Sequence, residues 1–225
     1  MYTMSPGYKR KSRFADALTL ITAISIALCL ICLSIKLIIG AKFLYYYDIN
    51  HLKITETVNM SESVLKDNYN KLMSYLLNNN IKDLSLPDFP MSPHGKTHFE
   101  EVKILFNFNN YILYGTLLIS VLGIIASLMK GKIKTFKFAS ISLIIIPIIL
   151  AIPFAVDFNG AFTVFHKLTF NNDYWLFDPD TDPIINALPE SYFMHCAIGI
   201  LLLITVFSLV LYGIYRLLKR RQSSW

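Results

Sequence analysis

The sequence predicts an all-α integral membrane fold with four transmembrane helices and two sizeable helix/loop segments on the extracellular face. Three observations predict it. Of the 225 residues 54% are hydrophobic, and the mean hydropathy is +0.48. The apolar residues are clumped into four runs, 18–39, 111–129, 138–156 and 196–218, each near the roughly 20 residues that cross a bilayer. Hydrocarbon offers the backbone no hydrogen-bond partners, so such runs must be helices. The basic residues are also unevenly placed. Residues 1–17, 130–137 and 216–225 hold twelve of the 21 Lys and Arg against one acid, Asp16, whereas Lys36 through Glu190, residues 130–137 aside, holds the remaining nine bases and 14 acids. Basic flanks stay cytoplasmic, so both termini (1–17 and 219–225) and the 130–137 loop are expected inside. Residues 40–110 and 157–195 are then outside.

The formal net charge of +6 is accounted for by these membrane-flanking cations. It does not indicate nucleic acid, because the outer segments are net acidic. The first run follows Lys9, Arg10, Lys11 and Arg13, but its apolar part is longer than a signal-peptide core and no Ala-x-Ala site follows, so it reads as an uncleaved helix. Cys29 and Cys32 form a C-x-x-C inside that span and read as small buried hydrophobes. Lys36 near its outer end is expected to snorkel.

In the first outer segment Tyr45, Tyr46 and Tyr47 suit the membrane interface. Ser61 or Ser63 caps an amphipathic helix with Leu65, Tyr69, Leu72, Met73, Leu76 and Leu77 on one stripe, ended by Asn78, Asn79 and Asn80. Three prolines and Gly95 in the following stretch predict an irregular connection. A helix capped by Thr97 then puts His98, Glu101, Val102 and Leu105 on one face, where Glu101 is placed to accept the second ring N–H of His98.

The spans carry no acid or His at mid-membrane, which argues against ion-coupled transport. Pro147 and Pro153 are expected to kink the third span, and Gly115, Gly123, Gly199 and Gly213 to allow close helix contact. In the second outer segment His166 lies among aromatics. Two outer histidines, one per segment, are candidates for proton transfer, since free imidazole titrates near neutral pH. His51, His94 and His195 read as ordinary polar residues. Trp175 reads as an interface anchor or a wall for lipid tails. Asp178, Asp180 and Asp182 resemble the opening of a calcium loop, but Pro183 stands where Gly is needed and Pro189 where Glu is needed; a stiffened turn is the better reading. No pattern for a cofactor, a zinc site or an enzyme nucleophile is present, although a metal held by His98, Glu101, His166 and an Asp stays open.

The four-span layout, the segment Gly95-x-x-His98-Phe99-x-Glu101-Val102-Lys103, and the segment Phe165-His166-x-x-x-Phe170-x-Asn172-x-x-Trp175-x-x-Asp178 are the distinctive features. With Asp182 and Leu188-Pro189-Glu190-x-x-Phe193 after them, they resemble the bacterial lipoprotein intramolecular transacylases, named Lit. The resemblance implies acyl transfer at the outer leaflet of a Gram-positive type membrane. A diacylated lipoprotein would be the substrate, its own N-terminal amine the nucleophile, and a lyso-form lipoprotein the product, with no cofactor. It implies catalytic roles for His98 and His166, and a supporting role for Glu101 at a position where Asp is also common. Asn172, Lys103 or Lys167 are candidate oxyanion donors, and Trp175, Asp178 and Asp182 complete the supporting set. The alternatives are a non-catalytic envelope scaffold or sensor, and a metal-dependent membrane hydrolase.

Overall fold

The computed structural model describes residues 16–223; the basic N-terminal residues 9–13 lie outside the described residues. Among those described there is no strand. Nine helices follow in order: α1 (Ala17–Ile39), α2 (Lys42–His51), α3 (Ile54–Val58), α4 (Glu62–Leu77), α5 (Pro93–Met129), α6 (Lys134–Val156), α7 (Phe158–Thr169), α8 (Ile184–Ala187) and α9 (Glu190–Ser223). By length and hydropathy α1, α5 and α9 are able to cross a membrane.

The bundle is built around α1, which packs against α5, α6 and α9, with α6 also against α9. Its buried face is made of small and hydroxyl residues, among them Thr19, Thr22, Ala23, Ser25, Ala27 and Ser34. Small residues let backbones approach, and hydroxyls supply interhelical bonds where burial from water gives no drive. Ser25 Oγ donates to the Thr116 carbonyl at 2.9 Å, and Ser140 and Ser208 pair at 2.9 Å between α6 and α9. Lys36 does more than snorkel: its Nζ donates to Asn110 Oδ1 at 2.8 Å and fixes α1 to α5. Of the four glycines expected at contacts, Gly123 faces Thr22 and Gly199 faces Ile38, whereas Gly115 and Gly213 have open space beside them.

The two long segments between the apolar runs, 40–110 and 157–195, share one second core. Ser61 caps α4 as expected, accepting the Val64 N–H at 3.4 Å, and the α4 stripe of Leu65, Tyr69, Leu72, Met73 and Leu76 packs on Tyr45, Ile49, Phe89, Phe99, Leu188 and Tyr192. Of the three interface tyrosines, Tyr47 is exposed but Tyr45 is a core residue. Tyr45 stacks on Tyr69 with ring centroids 4.0 Å apart, and its hydroxyl donates to the Ala187 carbonyl at 3.0 Å. Burying each large side chain here contributes roughly 1.5–3 kcal/mol.

Several boundaries differ from expectation. Pro93 opens α5 four residues before Thr97, because Pro lacks only an N–H that the first turn leaves unpaired anyway. The helix then runs without a break into the apolar 111–129 stretch. At 37 residues it is about 55 Å long, so its polar first half projects beyond any bilayer. α9 likewise begins at Glu190 rather than 196. α6 stays helical through Pro147 and Pro153.

A Cβ added at Gly123 meets Thr22 Oγ1 at 2.3 Å. Gly123→Leu is therefore expected to lower the stability of the purified protein by about 2 kcal/mol, read as a reduced melting temperature in neutral detergent, whereas Gly115→Leu is expected to leave it unchanged.

Candidate active site

The first turns of α5, ahead of its apolar stretch, and the short helix α7 deliver the histidines. Ser92 caps α5, its Oγ accepting the Gly95 N–H at 3.0 Å. Asp182, 3% exposed, comes from the 157–195 segment to the same helix end: its Oδ1 accepts the Ser92 N–H at 2.8 Å and its Oδ2 accepts from Thr181 Oγ1 at 2.9 Å. A carboxylate there also faces the positive end of the helix dipole. The approach requires Gly95, since a Cβ at that position would lie 2.2 Å from Asp182 Oδ1. One turn further along α5 stands His98. On the other side Asp157 caps α7 by accepting the Gly160 N–H at 3.0 Å, and α7 carries His166 on its buried face.

The two imidazoles come together with ring centroids 6.0 Å apart and planes inclined by 37°. Each is 8% exposed. Phe170 and Phe177 turn their edges to His98 at 4.9 and 5.4 Å. Phe162, Phe170 and Trp175 surround His166 at 4.1, 5.6 and 4.8 Å. His166 Nδ1 is 2.7 Å from the Phe162 carbonyl oxygen. A carbonyl only accepts, so Nδ1 carries the proton and Nε2 presents its lone pair. His98 Nδ1 is buried with no hydrogen-bond partner.

Burial in this aromatic box, with the neighbouring His166 ring as the second cause, pulls His98 down to about 4. Burial also lowers His166, against a smaller upward pull from its bond to Phe162. Both rings are therefore neutral at pH 7, because a low-dielectric setting penalises the charged form.

Glu101 does not bond His98. Its Oε1 accepts from Asn172 Nδ2 at 2.7 Å, and its Oε2 is buried without a partner. Asn172 also accepts the Tyr174 N–H on Oδ1 at 3.0 Å, and its carbonyl accepts from Trp175 Nε1 at 3.1 Å. It thus clamps the second segment to α5. Trp175 is 9% exposed and covers the face of His166 rather than anchoring at an interface. Lys103 points away from the histidines. Its ammonium donates to the carbonyls of Asn78 and Ile81 and sits 4.0 Å over the Tyr75 ring, which fastens the end of α4 and removes it as an oxyanion donor. Lys167 is exposed. Asp178 is exposed too and forms the stiff turn, its Oδ1 accepting the Asp180 N–H at 3.0 Å and its carbonyl the Asp182 N–H at 2.8 Å. Among the described residues no group of three or more His, Cys, Asp or Glu is placed to hold a metal ion. Neither of two surface cavities, one between α6 and α9 and one beside α4, includes a residue of this cluster.

Sequence reasoning passed over Phe162, whose carbonyl sets the tautomer of His166; its position one helical turn before His166 was the available signal. It also passed over Asp48, fully buried, which accepts from His195 Nδ1 at 2.9 Å and joins α2 to α9. His51 stacks between Tyr47 and His195 at 5.1 and 5.7 Å, and His94 stacks on Tyr174 at 4.2 Å.

Each buried ring takes up a proton more readily in the unfolded chain, near the ordinary 6.5, than in the folded one. Stability from neutral burial is thus complete above about pH 6.5 and is lost as pH falls towards 4. Melting midpoints are expected to drop across that window, and to drop less in His98→Phe. An unchanged acid profile in the variant would show that His98 is not held neutral by burial.

Comparison with known proteins bears on the chemistry. The family described as lipoprotein intramolecular transacylase Lit matches residues 20–193. The in meso structure of the membrane integral lipoprotein intramolecular transacylase Lit from Bacillus cereus is similar with a TM-score of 0.89 and 40% identity, covering 92% of this chain and 97% of that one. Structures of His-to-Arg and His-to-Ala variants of the same protein each give 0.86, at 40% and 39% identity, covering 92% of this chain and 93% and 94% of theirs. No curated protein matches. The paired-histidine chain described above belongs to the lipoprotein intramolecular transacylase Lit family, and so to the acyltransferases.

Proposed function

We propose that the protein moves the sn-2 acyl chain of a diacylglyceryl-modified bacterial lipoprotein onto that lipoprotein's own N-terminal cysteine amine. The observation that carries this reading is the pair of neutral, buried imidazoles 6.0 Å apart, one of them with its Nε2 lone pair available. The substrate brings its own nucleophile, so no Ser or Cys is needed. Ester and amine sit on one molecule, and holding them in register supplies an effective concentration of up to about 10⁵ M or more.

The lone pair of the neutral amine attacks the sn-2 ester carbonyl, forming a C–N bond. His166 Nε2 takes the proton that the nitrogen sheds. His166 is the base because the Phe162 carbonyl at its Nδ1–H supports an imidazolium, whereas His98 Nδ1 has no hydrogen-bond partner. The neutral His98 ring donates an N–H to the carbonyl oxygen as negative charge develops, a role for which an imidazole kept uncharged is suited. As the C–O bond breaks, the His166 imidazolium returns its proton to the departing glycerol oxygen. An amide and a free 2-hydroxyl result, and both histidines end neutral. The unpartnered Glu101 Oε2 receives an N–H of the amine and sets its direction, with Asn172 holding the carboxylate in place.

The reaction is sited at the extracellular face of a cell membrane, in a bundle of four spans with both termini cytoplasmic. α6 serves as the additional span: its 23 residues reach about 34 Å, and it packs on α1 and α9. Lys130, Lys132, Lys134 and Lys137 lie at the end of the bundle away from the histidines, where positive flanks are retained inside. Beside His166 the side chains of Val164, Phe165, Leu168 and Leu176 are exposed. This amphipathic lip rests in the headgroup layer and admits acyl chains from the surrounding lipid.

The test is a reporter lipoprotein in a host lacking the activity. Product and substrate have equal mass, so the acyl position is read by fragmenting the N-terminal peptide in tandem mass spectrometry. Wild type is expected to yield N-acyl peptide. His166→Ala and His98→Ala are each expected to lower its rate by roughly 10²–10⁴, and Glu101→Gln by about tenfold through KM. Undiminished product from either histidine variant rules out the two-histidine mechanism. Loss of one acyl chain's mass, abolished by chelator, identifies a metal-dependent hydrolase, and unaltered diacyl peptide with wild type identifies a scaffold.

A further inference from the structure

A cavity of about 420 Å³ opens between α6 and the last turns of α9, lined by Lys137, Tyr212, Tyr215, Arg216, Lys219, Arg220 and Ser223. It lies at the start of α6 and the end of α9, whereas Glu190 at the other end of α9 receives the Asn159 amide of α7. It is thus at the opposite end of the bundle from His98 and His166. Among the described residues, four cations and no carboxylate line it. Basic flanks alone account for positive charge near a membrane surface. They do not account for its convergence from two helices on one concave site, or for the two tyrosines there. Tyr212 and Tyr215 lie with ring centroids 6.0 Å apart, and the Arg216 guanidinium sits 6.0 Å over the Tyr212 ring and 3.5 Å from its hydroxyl. That contact orients a planar, five-donor group whose geometry suits phosphate. Immediately above, towards mid-membrane, α9 exposes Leu209 and Val210, apolar surface beside which acyl chains can lie.

We infer that this cavity is a binding site for the headgroup of an anionic phospholipid, its phosphodiester taken by Arg216, Lys219 and Lys137 and its acyl chains lying along α9. A zwitterionic lipid is a poorer ligand, because its own ammonium competes for the phosphate.

The probe is phosphatidylglycerol, titrated into the full-length protein in a neutral detergent and followed by native mass spectrometry and by melting temperature. Wild type is expected to retain phosphatidylglycerol in preference to phosphatidylcholine and to melt higher with it. Arg216→Gln/Lys219→Gln is expected to weaken retention by about fivefold per charge removed. Lys130→Gln/Lys134→Gln, which removes the same charge outside the cavity, is expected to weaken it by less than twofold. If the double variant does not fold, Lys219→Gln alone, at about fivefold, serves as the test. Equal losses in the cavity and control variants, or equal retention of both lipids, would overturn the proposal. So would inorganic phosphate giving the same melting shift as phosphatidylglycerol, since the site would then take free phosphate rather than lipid.

Discussion

The carboxylate of Asp182 at the N-terminus of α5 is the constraint on which the arrangement of the site depends. It is buried, it binds the Ser92 N–H, and it reaches there only because Gly95 has no side chain. Leaving such a donor unpaired in a buried place costs about 1–3 kcal/mol. The bond therefore sets where the 157–195 segment lies relative to the helix that holds His98. The Asn172–Glu101 bond fixes the same two parts about two turns further on. Between these ties lie Trp175 and Phe177, with Phe170 just before the first, and all three pack around the two imidazoles. α7 is held from its far side by Asn159 on Glu190 and by Phe162 against Phe193. The histidines belong to separate helices, but neither is free to drift from the other.

The aromatic box decides protonation as well as position. Rings and edges supply no strong acceptor, so an imidazolium inside them lacks compensation. The one strong acceptor offered to His166 is the Phe162 carbonyl, and it engages Nδ1. Nε2 remains as the site of proton exchange. Neutrality at His98 thus arises from the exchange of water for aromatic surface, and the defined tautomer at His166 from the Phe162 carbonyl.

The helical class and the apolar stretches were legible from hydropathy, because a bilayer permits few alternatives. The start of α5 was not legible. Pro93 and Gly95 read as breakers, yet a helix tolerates both in its first turn when Ser92 caps it and a carboxylate waits beside the glycine. Both histidines were legible as a pair of outer imidazoles, and the structure brings them to one place. Their supports were less so. Lys103 follows His98 by five residues, about 140° around the helix, so it faces α4. Glu101 shares the face of His98 but is taken by Asn172, a residue whose proximity depends on long-range folding. α7 lay hidden because Asn159 and Gly160 read as loop, while the Asp157 cap and the placing of Phe162 and His166 on one side carried the helical signal. Asp48 and His195 are separated by most of the chain, and nothing local announces that pair.

The exposed lip of Val164, Phe165 and Leu168 changes the dimension in which this enzyme counts its substrate. Under the proposed siting of that lip in the headgroup layer, lipoproteins arrive by lateral diffusion, and the relevant quantity is molecules per unit of membrane area, not per litre. Inert phospholipid then acts as a diluent, slowing turnover at constant total substrate. A cell that thickens its lipoprotein coat without adding membrane raises the enzyme's saturation directly.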